Sequence, residues 1–198
     1  MDPSQPSLFA PSPALPSALP EGLAYRPGFI SAEEERALAQ GIAALELRPF
    51  EFQNYLGKRR VTSFGWRYVF DGSGLQAAES MPDFLLPLRA RAAKMMGVEA
   101  ETLAHVLLTE YAPGAGIGWH RDRPVFGDVV GISLLAPARL RFRRKAGAKW
   151  ERLTLEAQPR SAYLLRGPAR HEWEHSIPEM EALRYSITFR TLKDPARS

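Results

Sequence analysis

The chain has 198 residues, 45% of them hydrophobic and 10% aromatic, which suits one domain with a substantial core. Its net charge of +4 and pI near 9.6 are mildly basic and favour a polyanionic partner only slightly. There is no cysteine, so disulfides, thiolate metal sites and cysteine nucleophiles are excluded, and no apolar run reaches the length of a membrane span.

Residues 1–20, "MDPSQPSLFAPSPALPSALP", carry six prolines and a single charge. They lack the basic start and continuous apolar stretch of a secretory signal, so a flexible tail is expected, followed by one domain over 21–198. Together with the missing cysteines this fits a cytoplasmic, monomeric protein. Two helices come next. "ISAEEERALAQGIAAL" opens on Ser31 as N-cap with Glu34 three residues on, a capping box, and Leu38, Ile42 and Leu45 recur at helical spacing. In "SMPDFLLPLRARAAKMMG", Leu85, Leu88, Ala92 and Met95 share a face and Gly97 suits the stop. Pro87 predicts a late start or a kink.

From about residue 103 the period becomes two. "HVLLTEY", "VVGISLL", "RLRFR", "RLTLEA", "SAYLLR" and "RYSITFR" read as short strands, and "KAGAK" as a hairpin turn. Helices first and strands afterwards predict an α+β chain, with helices packed on a β-sandwich or jelly roll.

"HEWEH", residues 171–175, spells H-E-x-x-H, but a zinc-protease site needs both histidines on one helix face. Gly167, Pro168 and Pro178 leave room for about two turns, too short to stand without packing. In "GWHRDRP", His120 and Asp122 are two apart, so on a strand they project to one side. Two histidines and one carboxylate form the facial triad of non-haem Fe(II) oxygenases. The second histidine must be His105, His171 or His175; otherwise "HRDR" is a charged surface turn.

In "LRYSITFR", Arg184, Ser186, Thr188 and Arg190 fall on one strand face, and Tyr185, Ile187 and Phe189 on the other. If the polar face is a barrel interior, two buried guanidiniums demand an anion between them, and a short dicarboxylic acid supplies both charges. The alternative is a solvated face.

His120-x-Asp122, a histidine far downstream, an arginine nine residues after it and another six later resemble the AlkB family of Fe(II)/2-oxoglutarate dioxygenases. "TEYAPGAGIGWHRD", "LRGPARHEWEHSIP" and "RYSITFR" are similar to that family's segments in the same order. The resemblance implies a double-stranded β-helix (jelly roll) core with supporting N-terminal helices. It implies Fe(II) held by His120, Asp122 and His175, with His171 on the substrate side or structural. It further implies 2-oxoglutarate bound by Arg184 at its distal carboxylate, by Arg190 near the iron and by Tyr111, with O2 as second co-substrate. Thr109 and Ser186 stand where the best-known bacterial member carries asparagines; their hydroxyls can still donate hydrogen bonds.

Family members mostly remove methyl groups from nucleobase nitrogens, which implies alkylated single-stranded DNA or RNA, tRNA included, as partner. "YLGKRRVTSFGWRYVF", within about 50–75, is similar to the family's nucleotide-recognition lid. Arg59, Arg60, Phe64, Trp66 and Tyr68 are its candidates for substrate binding, against an ordinary two-stranded piece with inward aromatics. "RLRFRRKAGAK" alternates arginines with apolar residues, giving either a phosphate track or a charged edge strand. Pro124 replaces an acidic residue by which the bacterial enzyme recognises its base. The alternatives are a protein or lipid hydroxylase, and a non-catalytic nucleic-acid-binding module on the same fold.

Overall fold

The computed structural model describes residues 19–52, 55–69 and 74–193. The expected tail therefore lies, but for its last two residues, outside the described residues. Thirteen strands and three α-helices are described: β1 (Leu23–Arg26), α1 (Ala32–Ala43), β2 (Arg48–Phe52), β3 (Tyr55–Phe64), β4 (Trp66–Val69), β5 (Gly74–Ala77), α2 (Leu86–Met96), β6 (His105–Tyr111), β7 (Ile117–His120), β8 (Phe126–Leu134), β9 (Ala138–Ala146), β10 (Lys149–Ala157), β11 (Ser161–Leu165), α3 (Gly167–His171), β12 (Glu174–Ile177) and β13 (Arg184–Leu192). A seven-stranded sheet in the order β1-β11-β8-β13-β6-β3-β2 faces a four-stranded sheet, β10-β9-β12-β7; β4 and β5 form a separate hairpin.

From β6 onward every connection crosses between the two sheets except the β9–β10 hairpin, which turns at Gly147 (φ +59°). That alternation is a jelly roll. β13 runs antiparallel between β6 and β8, and its side chains alternate as the sequence predicts. Tyr185, Ile187 and Phe189 pack outward with Leu38, Ile42, Leu85 and Leu88 of the helical layer. Arg184, Ser186, Thr188 and Arg190, all buried, face the space between the sheets. The second core, including Val129, Leu140, Phe142, Leu155 and Trp173, fills that space.

Ser31 caps α1 as expected: its Oγ accepts from Glu34 N–H at 3.1 Å, and the Glu34 carboxylate accepts from Ser31 N–H at 2.8 Å. Pro87 gives a late start, because a 3₁₀ turn over Asp83–Leu85 precedes α2 and the proline falls in its first turn, where no backbone donor is needed. Gly97 closes α2 at φ 72°. The face of α2 is a little rotated from the expected one: Met96 is buried, and Met95 only partly.

The N-terminal half holds more sheet than its local pattern suggests. β1 joins one edge of the large sheet through β11, and β3 pairs with β6 on the other side, carrying β2 with it. The first part of the expected lid is thus a ten-residue strand of the main sheet. No described helix is long and apolar enough to cross a membrane.

Candidate active site

β7 ends at His120, and β12 places His175 directly opposite it in the antiparallel register. Their rings lie 4.2 Å apart, centre to centre, at 55°. Asp122 follows two residues past the strand, its Oδ1 4.0 Å from His120 Nε2. One ligand atom from each of His120, Asp122 and His175 lies within 4.8 Å of the others. The Gly118 carbonyl, 2.9 Å from His120 Nδ1, accepts a hydrogen bond from Nδ1–H, which leaves the Nε2 lone pair for the cluster.

His171 ends α3 and is exposed; its carbonyl accepts from Arg121 at 3.2 Å. The H-E-x-x-H string is therefore split between a helix end and a strand, and one histidine alone enters the cluster.

The electrostatics suit a cation. Burial holds the His175 pKa down to about 3, helped by its neighbour His120, and burial lowers His120 as well, against the attraction of Asp122. Burial opposes ionisation of Asp122, yet the charge and hydrogen bonds of Arg190 outweigh it and keep the carboxyl well below the usual carboxylate range. Two neutral imidazoles and one carboxylate are thus ready as ligands, and this donor set fits Fe(II) with coordination positions left over.

Beside the cluster, Arg190 donates from Nε and Nη2 to Asp122 at 3.1 and 3.3 Å. Arg184 is fully buried. Its Nε donates to Ser133 Oγ at 2.9 Å, while Nη1 and Nη2 have no hydrogen-bond partner among the described residues. An uncompensated buried guanidinium costs several kcal/mol, so the surroundings of Arg184 suit an anionic group. Tyr111 stands opposite Arg184 across the β6–β13 pair, its ring centre 5.1 Å from the Arg184 guanidinium carbon, and Thr109 stands opposite Ser186. Arg184, Arg190, Tyr111, Thr109 and Ser186 thus line one interior face, and a dicarboxylate fits them.

The substrate candidates divide. Arg59 shares its strand face with Val61, which pairs with Thr109, so it turns toward the interior; its guanidinium lies 3.8 Å from the Phe50 ring centre, and its charge reaches His120. Arg60 points the other way. It donates to both Glu110 carboxylate oxygens, at 2.7 and 2.8 Å, on the face opposite the pocket. Phe64 is buried in the helix-side core rather than at a pocket mouth. These two placements correct the sequence reading: neighbours on a strand face opposite ways, and even-numbered residues of β3 belong to the outer layer. Trp66 opens β4, half-buried and opposite Ala77, after a turn at Gly65 (φ +76°). Tyr68 lies in β4, with its side chain outside the described residues.

Ser133 and Tyr163 were not singled out by sequence, and His105 figured there only as one of three candidates for the second histidine ligand. Ser133 receives Arg184. His105, buried, stacks on Phe126 at 4.5 Å with its Nδ1 3.5 Å from Arg190 Nη1. Tyr163, buried, feels the charges of Arg184, Asp122 and Arg190. A mid-strand glycine was the available signal for Tyr163: its ring lies over Gly131, where a Cβ would meet Tyr163 Cζ at 2.2 Å.

A jelly roll holding two histidines and a carboxylate beside an unpartnered buried arginine has the make-up of an Fe(II)- and 2-oxoglutarate-dependent oxygenase. Residues 22–190 match the 2OG-Fe(II) oxygenase superfamily, and the chain belongs to it, within the AlkB group. It is 28% identical over 181 residues to "Alkylated DNA repair protein ALKBH8 homolog" of Arabidopsis thaliana, covering 79% of this chain and 51% of that one. It is 29% identical over 168 residues to "Alpha-ketoglutarate-dependent dioxygenase alkB homolog 7, mitochondrial" of Bos taurus, covering 83% and 71%. It is 32% identical over 111 residues to "Probable RNA/DNA demethylase ALKBH6" of Danio rerio, covering 56% and 45%. The match thus spans about half the length of two of these three relatives. Among solved structures the fold resembles OsALKBH1 (TM-score 0.60, 15% identity, 86% of this chain and 96% of that one). It equally resembles a Pseudomonas putida prolyl-4-hydroxylase (TM-score 0.60, 16% identity, 87% and 93%). The enzyme is an oxidoreductase whose family uses Fe(II), 2-oxoglutarate and O2.

Proposed function

We propose that this oxygenase removes methyl groups from ring nitrogens of alkylated bases, such as 1-methyladenine and 3-methylcytosine, in single-stranded DNA or RNA, tRNA included. Fe(II) with 2-oxoglutarate and O2 supplies the oxidising equivalents: the methyl C–H becomes C–OH as 2-oxoglutarate becomes succinate and CO2. The hydroxymethyl group then leaves as formaldehyde: the C–N bond breaks, the ring nitrogen keeps its electron pair, and the hydroxyl proton passes to water.

The observation that carries the oxygenase reading is the meeting of the His120–Asp122–His175 cluster with the unpartnered Arg184 guanidinium. In this reading the three residues hold the metal from one side. Arg184 and Tyr111 take the distal carboxylate of 2-oxoglutarate, while Thr109, Ser186 and Arg190 orient its other end and Arg190 keeps Asp122 in place. Arg59 borders the substrate space, and Trp66 and Tyr68 stand on the neighbouring hairpin. The relatives' names, one in alkylated DNA repair and one a probable RNA/DNA demethylase, support a nucleic-acid substrate. A cysteine-free chain suits the reducing cytoplasm, and action as a monomer completes the proposal.

A second reading keeps the chemistry and changes the substrate to a protein side chain or lipid. It is favoured by Pro124, exposed two residues past Asp122, whose side chain cannot hydrogen-bond a base edge. The test loads the protein anaerobically with Fe(II), then adds O2, 2-oxoglutarate and methylated oligonucleotides, one single-stranded DNA and one tRNA stem-loop. Methyl loss by mass spectrometry, absent in H120A, is the expected outcome. Succinate formed without methyl loss from either overturns the nucleobase reading and favours the second.

A further inference from the structure

The outer face of the four-stranded sheet is not used by the chemistry above. On β9, Leu140 and Phe142 point into the core, so Arg139, Arg141, Arg143 and Lys145 point out. The register adds Arg152 of β10, opposite Arg143, and brings Glu156 and Glu174 to the same face. Five cations thus meet two carboxylates, on a chain whose whole net charge is +4. Among the described residues Arg139, Lys145 and Arg152 make no ion pair, and Arg139 and Arg152 are exposed.

The face is also aromatic. The Arg143 guanidinium carbon lies 4.4 Å from the Trp119 ring centre and 4.5 Å from that of Trp150, while Glu174 fixes its Nε at 2.6 Å. Trp150 remains 39% exposed, which is unusual for the largest apolar side chain and leaves part of its ring to solvent. Arg141 also faces Trp119, at 5.2 Å. A cleft of about 420 Å³ adjoins this face, where Lys145, Trp150, Arg144, His171 and Arg121 outnumber the carboxylates of Glu172 and Glu174 in its lining. Arg121 stands between His120 and Asp122 in the chain, so the cleft reaches the rim beside the metal cluster.

We propose that this face is a binding track for a single polynucleotide strand, leading along the cleft to the rim beside the metal cluster. Cations recur along β9 at about 7 Å, the two-residue repeat of a strand, in a line a phosphate backbone can follow. Tryptophan supplies a stacking platform that accepts any base. A lipid surface would be met by cations without a rigid aromatic sandwich, and a protein partner by fewer unpaired charges. The choice of nucleic acid rests on the proposed function; the excess charge and the exposed tryptophan stand without it.

The test is fluorescence anisotropy of labelled, unmethylated 16-nucleotide single strands of DNA and RNA with the full chain across a salt series. R139Q/R141Q/R152Q should weaken binding at least tenfold and make the log K against log salt slope shallower by about 2. W150A should weaken binding with the slope unchanged. Circular dichroism verifies folding; should the triple variant fail to fold, R139Q/R152Q, at two exposed positions, replaces it. Unchanged affinity in the folded variants overturns the track, as does binding of phosphatidylserine vesicles in place of the oligonucleotides. Because the probes carry no methyl group, binding that persists without any demethylation keeps the track and overturns only the proposed function. Demethylation of a short methylated oligonucleotide without binding of the longer strands does the reverse.

Discussion

Arg190 grips Asp122 with two nitrogens of one guanidinium, Nε at 3.1 Å and Nη2 at 3.3 Å, while its third nitrogen, Nη1, reaches His105. The carboxylate is thereby fixed in orientation and in charge. A partner of this kind, one step removed from the metal, typically sets affinity by about 10–100-fold. R190Q should therefore weaken Co(II) or Fe(II) binding by about that factor even with no 2-oxoglutarate present. Anaerobic metal titration reads it, and an unchanged affinity would assign Arg190 to the co-substrate alone.

Arg184 behaves oppositely, because its charge is a burden until an anion arrives. In R184M the buried, unpartnered nitrogens are gone. The metal-free, co-substrate-free protein should be as stable as the parent or more so, despite the lost bond to Ser133. The parent should gain about 2.7 kcal/mol at a 2-oxoglutarate concentration 100 times its Kd, and R184M almost nothing. Thermal unfolding with and without 2-oxoglutarate separates the two; a full ligand shift in R184M would refute the assignment.

The buried histidines set a pH dependence. Burial lowers His105 to about 2 and His175 to about 3, from an ordinary 6.5. Both are neutral in the folded chain while the unfolded chain protonates them, so the unfolded state binds more protons below pH 6.5 and stability falls as pH drops. By pH 5 each group costs on the order of 2 kcal/mol. H105F removes one of them, and its metal-free protein should lose stability less steeply between pH 7 and pH 5. Denaturant unfolding at those two pH values checks the slope; parallel slopes would mean that His105 is protonated in the folded state.

Arg59 and Arg60 show where sequence reading stops. The alternation in "RYSITFR" assigned both faces of β13, because apolar and polar residues there never mix. "KRRV" offers two adjacent arginines, and only pairing with β6, some fifty residues away, decides which turns inward. The same holds for β1, β2 and β3: a strand recruited by long-range pairing leaves little local trace. His175 and His171 share a parity in extended chain, and the tie is broken because His171 ends α3 while His175 lies in β12. R60Q should cost up to about 1 kcal/mol of stability through its half-exposed pair with Glu110 and leave substrate turnover intact. R59Q should raise KM for the oligonucleotide substrate while stability changes little. Equal kinetic effects of the two would contradict the strand register.

Gly131 and Tyr163 pair across β8 and β11, and the glycine exists to admit the tyrosine ring. An added Cβ would stand 2.2 Å from Cζ and 2.4 Å from Oη, so the ring, rigid and buried beside Arg184, must shift. G131A should cost ~1–3 kcal/mol, as overpacking of a filled interior does, and should weaken 2-oxoglutarate binding because the displaced ring intrudes on the pocket. Removing the ring with Y163A opens the space, so adding G131A to Y163A should cost far less than adding it to the parent. Urea unfolding of the four proteins in this cycle measures the coupling. Additive costs would show that Gly131 is required by its backbone and not by the ring above it.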